Sequence, residues 1–166
     1  MERDESNVLE SAKVQKMERR YFLFGLLNAF TNRLQAEGNL FFEEISWKQC
    51  FAMICIQMFE QPPTLKELAQ VMGSSHQNVK QLLLKLQDAS YVNLLEDEKD
   101  KRKQRVVITE QGKKFCKKYD KPSDEFIQCL YQDVEASDVL ITIKTITTME
   151  NNLKKGEWKV EKDSSL

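Results

Sequence analysis

Apolar residues recur at helical spacing along most of the chain, and this pattern predicts a mainly helical protein. Between residues 8 and 36 they fall about one helical turn apart, as in an amphipathic helix. These positions are Val8, Ala12, Met17, Phe22, Leu26, Leu27, Phe30 and Leu34. The stretch from Tyr21 to Phe24 is apolar on more than one face, so we expect it to pack against a large surface, such as a second copy of the chain. Gly38 and Asn39 are expected to end this helix.

Three Ser/Thr-x-x-Glu/Gln patterns, beginning at Ser46, Thr64 and Ser74, indicate further helix starts. The first predicts a helix to about Phe59, before the Pro62-Pro63 pair. Its expected buried side chains are Trp47, Phe51, Ile54 and Met58.

Beyond the third helix start, the pattern changes to strands and then returns to helices. Residues 91–95 and 105–109 are expected to form two strands joined by a charged, exposed hairpin tip. Helical spacing resumes from residue 110 to about residue 134, and a last helix is expected from 137 to 152.

The region from residue 64 to 111 has the order of a winged helix-turn-helix. Ala69 is small where a second helix would cross, Gly73 lies where the turn needs a positive φ, and Val79 would fill the gap between the helices. Leu68, Met72, Leu82 and Leu86 would complete this small core. Two amphipathic helices in an ordinary bundle would explain the leucines, but not the spacing together with the hairpin.

Polar side chains on the helix that begins near Ser74 and on the hairpin, or wing, are candidate DNA contacts. Such residues can bond bases or phosphates, and a helix N-terminus attracts phosphate. An ordinary solvated surface is the alternative. The candidates are Ser75, His76, Gln77, Lys80, Gln81 and Lys85 on the helix, with Asp100, Lys101, Arg102 and Lys103 in the wing.

Charge distribution agrees with a nucleic-acid partner better than total charge does. The net charge is −1, but residues 64–119 hold 12 Lys/Arg and 7 Asp/Glu, whereas the remainder holds 13 and 19.

The His and Cys content, the N-terminus and the length of the apolar runs indicate which classes of protein this chain does not belong to. A single His and four dispersed cysteines argue against a metal centre or catalytic triad, so we expect no metal, cofactor or enzymatic activity. The charged N-terminus is unlike a secretory signal, and no apolar run reaches membrane-spanning length, which predicts a cytoplasmic protein with no membrane partner. Cys50 and Cys55 are expected to be buried and inert, with redox sensing as the less favoured alternative.

The wing sequence Asp100-Lys101-Arg102 and the segment from Thr109 to Gly112, in this order of helices, resemble the MarR family of bacterial transcription regulators. The resemblance extends from about residue 10 to 150. It implies a single domain over 1–166, with dimerisation helices at 8–38 and 120–153, a winged helix-turn-helix lobe at 45–119 and a polar tail at 154–166. Arg102 would be the minor-groove residue and Asp100 its orienting partner.

The same resemblance implies a homodimer on a palindromic operator in double-stranded DNA, often released by a small aromatic ligand. A candidate effector pocket would include Phe22, Leu26, Trp47 and Phe51, although plain core is the favoured interpretation of this aromatic stripe. The leading hypothesis is therefore a DNA-binding regulator, usually a repressor. The alternative is a winged-helix protein-interaction module that does not bind DNA.

Overall fold

The computed structural model describes residues 18–98 and 100–156. Its elements, in chain order, are α1 (Arg19–Phe41), α2 (Trp47–Gln57), α3 (Leu65–Val71), α4 (His76–Asp88), β1 (Val92–Glu96), β2 (Gln104–Ile108), α5 (Glu110–Leu130) and α6 (Ala136–Lys155). The prediction of a mainly helical chain with a small wing is confirmed. The predicted helical positions Val8, Ala12 and Met17, and most of the predicted tail, lie outside the described residues.

Two compact units make up the chain, with the boundary between Cys116 and Lys117 within α5. In the first unit, α2, α3 and α4 pack together with the hairpin. Its least exposed side chains include Met53, Leu68, Val79, Leu83, Leu86, Val92 and Val106. In the second unit, α6 has no buried residue within the described chain, and it ends at Gly156 with a φ of 71°.

The helix-turn-helix forms much as its sequence pattern predicts. Ala69 and Val79 are buried, and Gly73 has a φ of 59°, which a residue with a side chain adopts only with strain. Leu68 and Leu86 are also buried. Met72 and Leu82 are only partly buried, and Leu83 occupies the core position between them and Leu86.

The predicted buried face of α2 is wrong. Cys50, Ala52, Met53, Cys55 and Ile56 are the buried residues of this helix. The expected core side chains Phe51, Ile54 and Met58 are instead 40%, 48% and 72% exposed, and Trp47 is half-buried. Because α2 is apolar around most of its circumference, no polar face marks which side of the helix lies outward.

The corner between α1 and α2 explains why Gly38 does not end the first helix. α1 continues to Phe41, and Gly38 lies against the indole of Trp47, where an added Cβ would be 2.1 Å from Cε3. Asn39 Oδ1 accepts a hydrogen bond of 2.8 Å from the backbone N–H of Trp47. The glycine is therefore needed for close packing of the two helices and not for a turn.

The hairpin is antiparallel, with Val92 opposite Ile108 and Glu96 opposite Gln104. At its base, Thr109 Oγ1 donates to the carbonyl of Ser90 at 2.6 Å and accepts from the N–H of Gly112 at 3.0 Å. A Cβ on Gly112 would lie 2.2 Å from the carbonyl oxygen of Tyr91. The segment from Thr109 to Gly112 thus fixes where the sheet ends and α5 begins.

We expect Gly112→Ala to destabilise the protein by about 1–3 kcal/mol, because the backbone of Tyr91 cannot move aside without disturbing β1. Gly25→Ala is the matched control, since a Cβ there has no neighbour within 4 Å. It should be neutral or stabilise its helix by about 0.5–1 kcal/mol. Urea unfolding of the two variants measures both effects, and equal unfolding free energies would contradict the predicted steric conflict.

Candidate nucleic-acid interface

Helix α4 presents a polar face because its opposite side is fixed in the core. Val79, Leu83 and Leu86 are each 0% exposed. The predicted contacts His76, Gln77, Lys80, Gln81 and Lys85 are all exposed, as is Ser75 immediately before the helix.

The N-terminus of α4 begins one residue later than the third capping pattern predicts. Ser75, and not Ser74, is the N-cap, and its Oγ accepts a hydrogen bond of 3.2 Å from the N–H of Asn78. Gln77 therefore lies in the exposed first turn, where its amide is available for other partners. Ser74 and Ser75 are adjacent and a serine suits an N-cap at either position, which made the one-residue shift hard to foresee.

The wing is shaped by two aspartates. Asp97 is 5% exposed, and its Oδ1 accepts a hydrogen bond of 2.8 Å from the N–H of Asp100. Asp100 Oδ1 in turn accepts from both the backbone N–H and the Nε of Arg102, each at 3.2 Å. Lys103 Nζ lies 3.3 Å from Asp100 Oδ2. Asp100 therefore contacts Arg102 as its predicted role requires, while the Arg102 side chain stays 92% exposed.

A groove of about 700 Å³ lies between the wing and the start of α3 and α4. It brings together five of the predicted contacts from distant parts of the sequence, namely His76, Lys80, Asp100, Arg102 and Lys103. Ser75, Gln77, Gln81, Lys85 and Lys101 are not part of its lining.

Eight further lining residues were missed as site residues in the sequence, namely Thr64, Leu65, Lys66, Glu67, Gln70, Asp97, Gln104 and Arg105. Lys66 and Gln70 are four residues apart on α3, so helical spacing of polar residues was the signal that could have identified them.

The groove is net positive. Its lining holds five Lys and Arg side chains and three carboxylates, a balance of +2. The hydrogen bonds from Arg102 lower the pKa of Asp100. The backbone N–H of Thr64, with its hydroxyl, lowers the pKa of Glu67. Both carboxylates therefore stay ionised at neutral pH. The groove remains net positive because its Lys and Arg side chains outnumber its carboxylates.

A second groove, also of about 700 Å³, lies where α1, α2 and α4 meet. Trp47 and Phe51 of the predicted effector pocket line it, but Phe22 and Leu26 do not. Its other apolar lining comes from Leu34, Met72 and Leu82, and its polar lining includes Lys48, Asn78, Gln81 and Lys85. Two of the predicted DNA contacts, Gln81 and Lys85, thus face this second groove.

The cysteines are not arranged as a metal site. Burial raises the pKa of Cys50 to about 12, and the nearby Cys116 contributes in the same direction. Burial also raises the pKa of Cys55. Within residues 18–98 and 100–156, no cluster of three or more His, Cys, Asp or Glu side chains could hold a metal ion. No helix in this part of the chain is long and apolar enough to cross a membrane.

Comparison with known proteins identifies the fold. No protein-family profile and no curated protein matches the chain. Among solved structures, a MarR/EmrR family transcriptional regulator from Acinetobacter sp. ADP1 aligns over 84% of this chain and 99% of its own, with a TM-score of 0.74 and 13% identity. This chain has the MarR winged-helix fold.

Two other solved structures agree with that assignment. The MepR–DNA complex of S. aureus covers 83% of this chain and 99% of its own, with a TM-score of 0.71 and 18% identity. A MarR transcriptional regulator from Methanosarcina mazei Go1 covers 81% and 98%, with a TM-score of 0.69 and 24% identity. The predicted resemblance to the MarR family is therefore confirmed at the level of the fold.

The Glu67 carboxylate should make the stability of the lobe depend on pH. Its pKa is lowered on folding, so its contribution is complete above the ordinary value of 4.5 and is lost as pH falls through the lowered value. Glu67→Gln should therefore lose less stability than the wild type between pH 6 and pH 3. Urea unfolding at both pH values measures this difference, with Glu60→Gln as an exposed control. If Glu67→Gln and the wild type lose equal stability, the proposed contribution of this cap is refuted.

Proposed function

We propose that this chain is a transcriptional regulator, and not an enzyme, that binds double-stranded DNA as a homodimer. Helix α4 would lie in the major groove and the wing on the adjacent minor groove. The observation that carries the proposal is the positive groove in which α4 and the wing tip meet.

The chemistry of α4 supports a role in base and phosphate contacts. Its first turn is exposed and carries His76 and Gln77, and Lys80 follows one turn later on the groove side. Amide side chains can bond adenine bidentately, and Lys can contact guanine or phosphate. Because the N-terminal end of a recognition helix usually meets the base edges, this is where we expect sequence reading to occur.

The wing supports the proposal independently. The Arg102 guanidinium is exposed, and its Nε donates to the Asp100 carboxylate, which orients it. Only part of its hydrogen-bonding capacity is therefore used by this contact. An arginine in this condition suits a narrow minor groove, where the potential is most negative. The MepR structure with the same fold is a DNA complex, which agrees with this use of the surface.

A homodimer would account for the apolar side chains that the isolated chain leaves uncovered. Tyr21 and Phe24 of α1 are 69% and 64% exposed, and Leu140, Ile141 and Leu153 of α6 are each more than 60% exposed. Exposed apolar surface of this extent is typical of an interface. Two copies related by a two-fold axis would present two α4 helices, which matches a palindromic operator.

The second groove supports the further proposal that a ligand releases the operator. Trp47 and Phe51 offer aromatic surface, and Lys48 and Lys85 supply positive charge, so a small aromatic anion is the ligand class that fits. Lys85, Gln81 and Asn78 belong to α4 and also line this groove. A ligand there would bind one orientation of α4 better than another and thereby shift the population away from the DNA-binding state.

Arg102→Ala should weaken binding and reduce the salt dependence of affinity by about one in log–log terms, because one phosphate or groove contact is lost. Fluorescence anisotropy over a salt series measures this, with duplexes that tile the region upstream of the protein's own gene and a scrambled duplex. Lys113→Ala is the matched control, since Lys113 is exposed and lies in neither groove.

The same titration separates the proposal from its alternative. Wild-type protein that binds none of these duplexes at low salt would favour the protein-interaction module. Unchanged salt dependence in Arg102→Ala would remove Arg102 from the contact surface while leaving α4 as the reader.

Ile143→Glu should dissociate the dimer, because two copies would each bury a charge in an apolar interface. Ile143 is 56% exposed on α6, and Thr148, five residues on, lies about 140° around the helix. Thr148→Glu is therefore the control. Light scattering should give twice the mass of one chain for the wild type and Thr148→Glu, and at least a tenfold weaker dimer for Ile143→Glu. A wild type that is monomeric at micromolar concentration would contradict the proposed assembly.

A further inference from the structure

We propose that Arg105 is a positioning residue that holds the wing, and through it Arg102, at a fixed distance from α4. The inference rests on the proposed DNA binding. Arg105 lies at the second position of β2, and its side chain turns toward the base of the wing and away from the wing tip.

The guanidinium of Arg105 joins two parts of the chain. Its Nε donates to the Asp97 carboxylate, and its Nη1 donates to the carbonyl of Pro62 at 2.6 Å. The Asp97 side chain is 7% exposed, and Asp97 is the one buried charged residue among residues 18–98 and 100–156. A buried carboxylate requires a charged partner or strong donors, so the guanidinium is committed to Asp97.

The backbone makes a second connection at the same place. Thr64 and Arg105 form an antiparallel bridge, and the N–H of Val106 donates to the carbonyl of Pro63 at 2.9 Å. Strand β2 is thus bonded to β1 on one side and to the residues preceding α3 on the other. Since Thr64 is also the N-cap of α3, the wing is joined directly to the first helix of the helix-turn-helix.

From Arg105 a continuous series of hydrogen bonds leads to the wing tip. The Asp97 carboxylate, which Arg105 contacts, accepts a hydrogen bond from the backbone N–H of Asp100. The Asp100 carboxylate in turn accepts from the backbone N–H and the Nε of Arg102. The backbone N–H of Asp97 also donates to the carbonyl of Lys103 at 3.0 Å, and this bond closes the same turn. Removing the Arg105 guanidinium would remove the hydrogen bond that it donates to Asp97 and would loosen the turn that orients Arg102.

A direct role for Arg105 in phosphate binding fits these contacts less well. Its side chain is 37% exposed, against 92% for Arg102, and its charge is already balanced by Asp97. A guanidinium that is already paired with a carboxylate neutralises little phosphate charge and so displaces few of the cations condensed on the DNA. Its loss should therefore not change the salt dependence of affinity.

The first test needs no DNA. In Arg105→Gln, hydrogen exchange at the amides of Asp100, Lys103 and Val106 should accelerate about tenfold, because each of these amides is bonded within the connected wing. Exchange in the core of α4 should stay unchanged. Unchanged exchange in the wing would overturn the proposal, whatever the outcome of the DNA experiments.

The second test measures anisotropy over a salt series on the best-bound upstream duplex. Arg105→Gln should lower affinity about tenfold with an unchanged salt slope, and in an Arg102→Ala background it should cost less than about twofold more. An additive effect, or a slope reduced by about one, would make Arg105 a phosphate contact and overturn the positioning role.

Arg105→Lys is the conservative variant for the same two measurements. A lysine keeps the charge but cannot reach Asp97 and Pro62 together, so we expect partial loss of affinity and intermediate exchange. Wild-type behaviour of this variant would show that only the charge matters, and would overturn the proposed connection. Failure of wild-type protein to bind DNA would refute the proposed function alone, because the exchange test remains decisive for the connection.

Discussion

The contact of α4 with α2 and α3 is the constraint on which the rest of the lobe depends. Val79, Leu83 and Leu86 lie wholly within the core, and each such side chain contributes about 1.5–3 kcal/mol when fully buried. Once this stripe is packed, the polar residues of α4 have to face outward. The exposure of His76 and Lys80 follows from the packing of their neighbours and requires no stabilising contact of its own.

The wing could not hold its position by apolar contact alone, since its distal part is almost wholly charged. Charged groups hold it in place: Asp97 is buried, Arg105 neutralises it, and the carbonyl of Pro62 binds the other side of the guanidinium. The two parts of the proposed DNA surface are therefore stabilised by different kinds of interaction. Helix α4 depends on the hydrophobic core, whereas the wing depends on hydrogen bonds to charged groups.

Features that depend on near neighbours in sequence were predictable. The capping boxes at Ser46 and Thr64, the positive φ of Gly73 and the hairpin with its Asp100–Arg102 contact all arise within a few residues. The inner face of α2 was not predictable, because that helix is apolar on several sides. The Arg105 contact with Pro62 was not predictable either, because the partners are 43 residues apart and only the folded hairpin brings them together. Contact of the α4 side chains with DNA stays a prediction.

The close packing of Trp47 on Gly38 has a consequence for communication within the lobe. One face of the indole rests on the backbone of α1, and the same ring forms part of the wall opposite α4. Gly38 has no side chain that could move aside, so a movement of α1 toward the ring has to be taken up by the indole itself. A displacement of α1 would therefore reach the wall facing α4 through the Trp47 ring.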